Sequence, residues 1–201
     1  MKYIIGNLKM NLLSPAERER YFKLFRRELV GKNLKKVKVV LCPPSIHLES
    51  FIGTLKSKKV GIGAQNIFEE KDGAFTGEVS APMVKSLGAE YAIIGHSERR
   101  RHFGETNITA NQKIKSVAKA GLTAIYCIGE KKEERESNVE QDVIAAQLQE
   151  GLAGISYAQA EKIIIAYEPV WSVGTDVIPA GNQIMEMRIL IQKILTRNFL
   201  L

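Results

Sequence analysis

Short apolar runs rich in β-branched residues alternate with longer amphipathic stretches along the whole chain. Tyr3–Gly6, Val37–Leu41, Val60–Ala64, Tyr91–Ile94, Thr123–Cys127 and Ile163–Ala166 have the length and composition of strands. Successive runs begin roughly 30 residues apart, the length of a βα repeat, so the pattern is that of a parallel α/β fold. The stretches between them carry helix signals. Ser14-Pro15-Ala16-Glu17 predicts a capping box with proline at the first helical position. Tyr21, Leu24, Phe25 and Leu29 then share one helical face. A last helix is predicted over Asn182–Leu201, with Ile184, Met187, Leu190, Ile191 and Leu195 as its apolar stripe.

One run is odd. Ile163-Ile164-Ile165-Ala166 reads as a fully covered strand, yet it delivers Glu168 and then Pro169. Other polar residues gather just past strand ends in the same way: Asn7 and Lys9, Gln65 and Asn66, His96, and Glu130. No G-x-G-x-x-G follows the first strand, as a doubly wound dinucleotide fold would ask. Several strands feeding one polar face is what a (βα) barrel needs. Six βα units can be counted where a full barrel has eight in about 250 residues, so the expectation is an incomplete barrel formed as one domain over residues 1–201.

Composition narrows the function classes. With 45% hydrophobic and 25% charged residues the chain is ordinary for a globular protein. No apolar run approaches the ~20 residues of a membrane span, and the amino terminus lacks a signal-peptide pattern; the expectation is a cytoplasmic protein. The formal charge is +7 and the pI near 9.4, but the basic residues are scattered, without an aromatic-interleaved stripe. That distribution argues against a nucleic-acid partner and suits an anionic small substrate. Cys42 and Cys127 lie in apolar runs and read as buried thiols, and His47, His96 and His102 show no metal-ligand spacing.

Four segments in order carry a resemblance: Gly6-Asn7-Leu8-Lys9-Met10-Asn11, Gly73-Ala74-Phe75-Thr76-Gly77-Glu78-Val79-Ser80, Ile94-Gly95-His96-Ser97-Glu98-Arg99-Arg100 and Ala166-Tyr167-Glu168-Pro169-Val170-Trp171. Together they resemble the triosephosphate isomerase family from residue 1 to about residue 195. The resemblance implies interconversion of dihydroxyacetone phosphate and glyceraldehyde 3-phosphate, a step shared by glycolysis and gluconeogenesis, with no cofactor and no metal. It implies Glu168 as the base, His96 as donor to the carbonyl oxygen, and Lys9 as the positive charge, with Asn7 and Gly174 binding substrate. Ser97, Glu98 and Cys127 are then supporting residues, Glu98 holding Lys9 and Cys127 packing near the site. The chemistry agrees: moving a proton beside a carbonyl needs a base on carbon and an electrophile on oxygen, and fixed charge in a dry site stabilises the enediolate.

The same resemblance makes Pro169 to about Pro179 a mobile lid, although Asp176-Val177-Ile178-Pro179 departs from the usual glycine and small residues, and its proline stiffens the hinge. The Thr76 loop resembles an arm that reaches a second subunit, with Glu78 facing Arg99 across the interface. The family's Tyr-Gly-Gly-Ser motif and paired glycines, which bind phosphate, have no counterpart here. The expectation is therefore a chain lacking the last two βα units, with reduced activity and apolar sheet edges and a carboxy-terminal helix that a homo-oligomer, dimer or larger, would cover. A weakly active scaffold or fragment, or a binder of phosphate ligands or nucleic acid, are the alternatives.

Overall fold

The protein, seen as a computed structural model, is described over residues 1–199. It forms two compact units, one of Met1–Ile93 with Lys119–Thr123, the other of Ile94–Ala118 with Ala124 onward.

The first unit runs β1 (Lys2–Asn7), α1 (Pro15–Leu29), β2 (Val37–Cys42), a 3-10 turn (Ser45–His47), α2 (Leu48–Leu55), β3 (Val60–Ala64), α3 (Ala81–Leu87) and β4 (Tyr91–Ile94). Its strands pair in parallel in sequence order, with Asn7 level with Cys42, Leu41 with Ile62, and Ala64 with Ala92. β3 is buried along its whole length, and α1 and α2 meet through Phe22 and Phe51, whose rings lie edge to face 4.8 Å apart. Phe22, not the predicted Tyr21–Leu24–Phe25–Leu29 face, is the buried anchor of α1, and Leu24 is exposed. Tyr21 of the forecast face also meets Phe51, ring centres 5.6 Å apart, but Phe22 lies closer and is the residue that is buried. At the start of α1, Ser14 Oγ accepts from the Glu17 N–H, while the Glu17 carboxylate reaches past Ser14 to the N–H of Leu13. β1 is the open side of this unit, with Tyr3 and Ile4 exposed.

The second unit contains α4 (Ser97–Phe103), α5 (Asn107–Lys119), β5 (Thr123–Ile128), α6 (Lys132–Glu136), α7 (Glu140–Gly151), α8 (Tyr157–Ala160), β6 (Ile163–Tyr167), a 3-10 turn (Val170–Ser172) and α9 (Gly181–Phe199). β5 and β6 pair in parallel from Ala124 and Ile163 to Ile128 and Tyr167. All five residues of β6 are only half-buried. The isoleucine run thus lacks the full cover its composition forecast, because β-branched sequence records strand propensity and not what packs on each face. In α9 the buried residues of the predicted stripe are Met187 and Ile191, while Ile184 is exposed; Leu200 and Leu201 fall outside the described residues. Both cysteines are free, Cys42 buried and Cys127 half-buried. No helix among the described residues is long and apolar enough to cross a membrane.

Gly63 shows how tightly β2, β3 and β4 are fitted. A Cβ there would meet the Tyr91 Cβ at 2.8 Å, the Cys42 Sγ at 2.9 Å and the Tyr91 carbonyl at 3.1 Å, and the carbonyl, as backbone, has little freedom to yield. Gly63→Val is expected to lower unfolding free energy by about 1–3 kcal/mol through overpacking, read from urea denaturation midpoints.

Candidate active site

In the first unit, β1 ends at Asn7, and the chain turns so that Asn7 Oδ1 accepts the Lys9 N–H at 2.9 Å. Lys9 is half-buried and has φ +49°, a left-handed conformation that costs a non-glycine residue roughly 1–2 kcal/mol. The Asn7 oxygen is thus taken up by the backbone of its own loop.

The second unit begins at Ile94 and runs at once into Gly95 and His96. The Gly95 peptide is held at both ends: its N–H donates to Glu105 Oε1 at 2.7 Å, and its carbonyl accepts from Arg100 Nε at 2.8 Å. His96 is buried at the start of α4, and its Nδ1 accepts the Glu98 N–H at 3.2 Å. A ring nitrogen that accepts carries no proton, so this imidazole is neutral, with its hydrogen on Nε2. The Glu98 carboxylate lies 3.7 Å from the same Nδ1, a spacing that is not an ion pair for a neutral ring.

At the end of β5, Gln147 clamps Gly129 through both backbone groups, accepting its N–H at 2.8 Å and donating to its carbonyl at 3.0 Å. Gly129 packs against the backbone of Glu168 so closely that a Cβ would run into the Glu168 carbonyl, so only glycine serves there. Glu168 follows β6, with its N–H on the Ile128 carbonyl at 2.9 Å. Gly95, Ser97, Cys127, Gly129 and Glu168 line one cavity of about 10 Å³, enough for a single water. Glu168 itself is exposed, although the run that delivers it reads as a fully covered strand. The half-covered β6 explains this, because the strand brings Glu168 to an open surface.

The residues flanking Glu168 are tethered to Glu130, which is fully buried. Its oxygens accept from the Tyr167 hydroxyl at 3.0 and 3.2 Å and from Trp171 Nε1 at 2.8 Å. The Arg135 guanidinium lies 3.7 Å away. Burial, then the Glu130 charge, push the Tyr167 phenol upward, so it stays a donor. From Pro169 onward the chain bonds to itself: Ser172 Oγ donates to the Pro169 carbonyl and Thr175 Oγ1 to the Ser172 carbonyl. Gly174, at φ +69°, is exposed.

The structure thus brings His96, Ser97, Glu98, Cys127, Glu168 and Gly174 into the second unit, and Asn7, Lys9, Thr76 and Glu78 into the first. Arg99, expected to face Glu78 of another subunit, turns inward in its own chain and meets Glu105 at 2.8 Å. Glu105 also takes Lys113 at 2.8 Å. The sequence reading missed Glu105, Gln147 and the tethering role of Glu130. Glu105 and Gln147 lie away from strand ends, and Glu130 stood out only as a polar strand-end residue. No group of three metal-ligating side chains occurs among the described residues.

Burial alone would raise the Glu105 carboxyl, but the Lys113 hydrogen bond and charge, Arg99 and the Gly95 N–H outweigh it and hold it below the usual carboxylate range. Stability from this group is present above the ordinary Glu value of about 4.3 and is lost as pH falls through the lowered value. Thermal melts are expected to show this acid loss, and Glu105→Gln to flatten it while costing about 3–5 kcal/mol at neutral pH. Burial, then the nearby Glu168 charge, push the Cys127 thiol up to about 12. Mass spectrometry after iodoacetamide at pH 8 is expected to find Cys127 unmodified in the native chain and alkylated after unfolding.

A family model described as triosephosphate isomerase matches residues 2–200. A protein of Dictyoglomus thermophilum named triosephosphate isomerase is 44% identical over 198 residues, covering 98% of this chain and 78% of its own length. One of Carboxydothermus hydrogenoformans, with the same name, is 42% identical over 199 residues, covering 98% and 77%. One of Moorella thermoacetica is 40% identical over 192 residues, covering 96% and 76%. The α/β fold with parallel strands, six of them among the described residues, is that of the family's (βα) barrel. The chain belongs to the triosephosphate isomerase family.

Proposed function

We propose that this chain interconverts dihydroxyacetone phosphate and glyceraldehyde 3-phosphate through an enediolate, with Glu168 as the base, His96 as donor to the carbonyl oxygen and Lys9 as the stabilising charge. The observation that carries the assignment of His96 is the Glu98 N–H on its Nδ1. That bond leaves Nε2–H as a neutral donor, the role described for the histidine of triosephosphate isomerase. Glu168 takes the proton from C1 and returns it to C2, the hydroxyl proton passes from O1 to O2, and the charge that builds on oxygen meanwhile is met by the His96 N–H and the Lys9 ammonium. Electrostatic stabilisation of that oxygen is the largest part of such catalysis. The Asn7 NH2 and the Gly174 N–H orient the substrate, and no cofactor enters the proton transfer.

Glu168 is exposed, so the reading requires the 169–179 segment to close and expel water from the carboxylate. Self-bonding of that segment through Ser172 and Thr175 favours movement as a body about its ends. Pro179 limits the freedom of the far end.

We further read the 69–79 loop as an arm for a second copy of the chain. It is closed at its base by the Phe68 N–H on the Val79 carbonyl at 2.8 Å and braced by Phe68 against Phe75, ring centres 4.6 Å apart. Thr76 and, next to the base, Glu78 are exposed. Arg99 of the other copy would meet Glu78 with whatever donors Glu105 leaves it.

A coupled assay with glyceraldehyde 3-phosphate tests the activity directly. Glu168→Gln is expected to lower kcat at least ~10²-fold with little change in melting temperature; unchanged turnover would remove Glu168 as the base. Light scattering is expected to give the mass of a dimer or larger assembly. Thr76→Arg is expected to shift that mass toward one chain, and an unchanged mass would exclude the arm.

A further inference from the structure

Two non-glycine residues of the loop after β1, Lys9 at φ +49° and Leu12 at φ +67°, adopt left-handed conformations. Each has its carbonyl gripped by a side chain from elsewhere in the same unit. Gln65 Nε2 donates to the Lys9 carbonyl at 2.9 Å and, with its other hydrogen, to the Cys42 carbonyl at 2.8 Å. His47, buried in the turn after β2, meets the Leu12 carbonyl with Nε2 at 2.7 Å. A carbonyl only accepts, so the His47 proton sits on Nε2. Its Nδ1 is buried with no hydrogen-bond partner.

We propose that Gln65 is a positioning residue for Lys9, holding the strained peptide so that the ammonium stands where charge develops on the substrate. The inference rests on the reading of Lys9 as catalytic. Asn7 fixes the N–H side of Lys9 and Gln65 fixes its carbonyl, so the residue is held from both sides. The second Gln65 bond anchors this clamp to the end of β2, where the Cys42 carbonyl also accepts the Leu8 N–H at 3.0 Å. Loop and neighbouring strand therefore share one acceptor, and Lys9 cannot relax its φ without breaking the Gln65 bridge. His47 supplies the second hold, three residues on. A side chain placed this way never touches the substrate; it acts through the orientation of another.

A double-mutant cycle in the full chain tests this. Gln65→Met keeps length and volume but removes both donors. With Lys9 present, kcat for glyceraldehyde 3-phosphate is expected to fall roughly 10–100-fold, the scale of a small misplacement of a catalytic group. In a Lys9→Ala background the same change is expected to alter kcat by less than about twofold, since what Gln65 positions has gone. A merely structural glutamine would cost the same factor in both backgrounds, and that result overturns the clamp alone. Full activity of Lys9→Ala would overturn the reading of Lys9 and the clamp with it. Should Gln65→Met fail to fold, Gln65→Glu keeps the shape while turning a carboxylate toward two carbonyl oxygens. It is expected to give the same non-additive cycle, and equal losses in both backgrounds would again overturn the proposal.

Discussion

A carboxylate with no access to water must find its donors inside the protein, and that constraint organises the second unit. Glu130 is fully buried at the exit of β5, and leaving its oxygens unmatched would cost several kcal/mol. The donors it draws are the Tyr167 hydroxyl and the Trp171 indole N–H. These residues stand on either side of Glu168, so satisfying one buried charge fixes both flanks of the residue assigned as the base. Glu105 does the same for the entrance to α4. It gathers Arg99, Lys113 and the Gly95 N–H, and so determines where His96 begins its turn.

A second regularity concerns the backbone. Where a strand ends, its N–H and C=O groups lose the ladder that satisfied them, and unpaired groups of this kind are rarely tolerated. At three strand ends here, side chains replace the ladder and do so at both faces of one residue. Gly95 is held by Glu105 and Arg100, Gly129 by both ends of the Gln147 amide, and Lys9 by Asn7 and Gln65. Each held residue is a proposed site residue or immediately precedes one or the buried tether Glu130. Loop residues at these strand ends are thus placed by amide and ionic side chains.

Much of this was legible in the sequence, for stated reasons. Strand length and β-branched content located all six strands within a residue or two, because both reflect local preference. The polar residues read as lying past strand ends, Asn7, His96, Glu130 and Glu168 among them, do end or follow strands. Cover was not legible: the Ile163–Ile165 run is half-buried and Phe22 displaces the forecast face of α1. These depend on which distant residues arrive, which periodicity does not encode. For the same reason the partners of Glu105 and Gln147, both interior to the sequence pattern, became visible only with the tertiary arrangement.

Trp171 is the chain's single tryptophan, and its indole N–H is bonded to Glu130 at the root of the segment following Glu168. Ultraviolet emission excited at the red edge of protein absorption therefore arises from one indole at one place. The wavelength and intensity of that emission depend on whether the indole faces a carboxylate or solvent. The molecule carries its own optical gauge of movement beside the proposed base, with no label needed and no other indole to blur the signal.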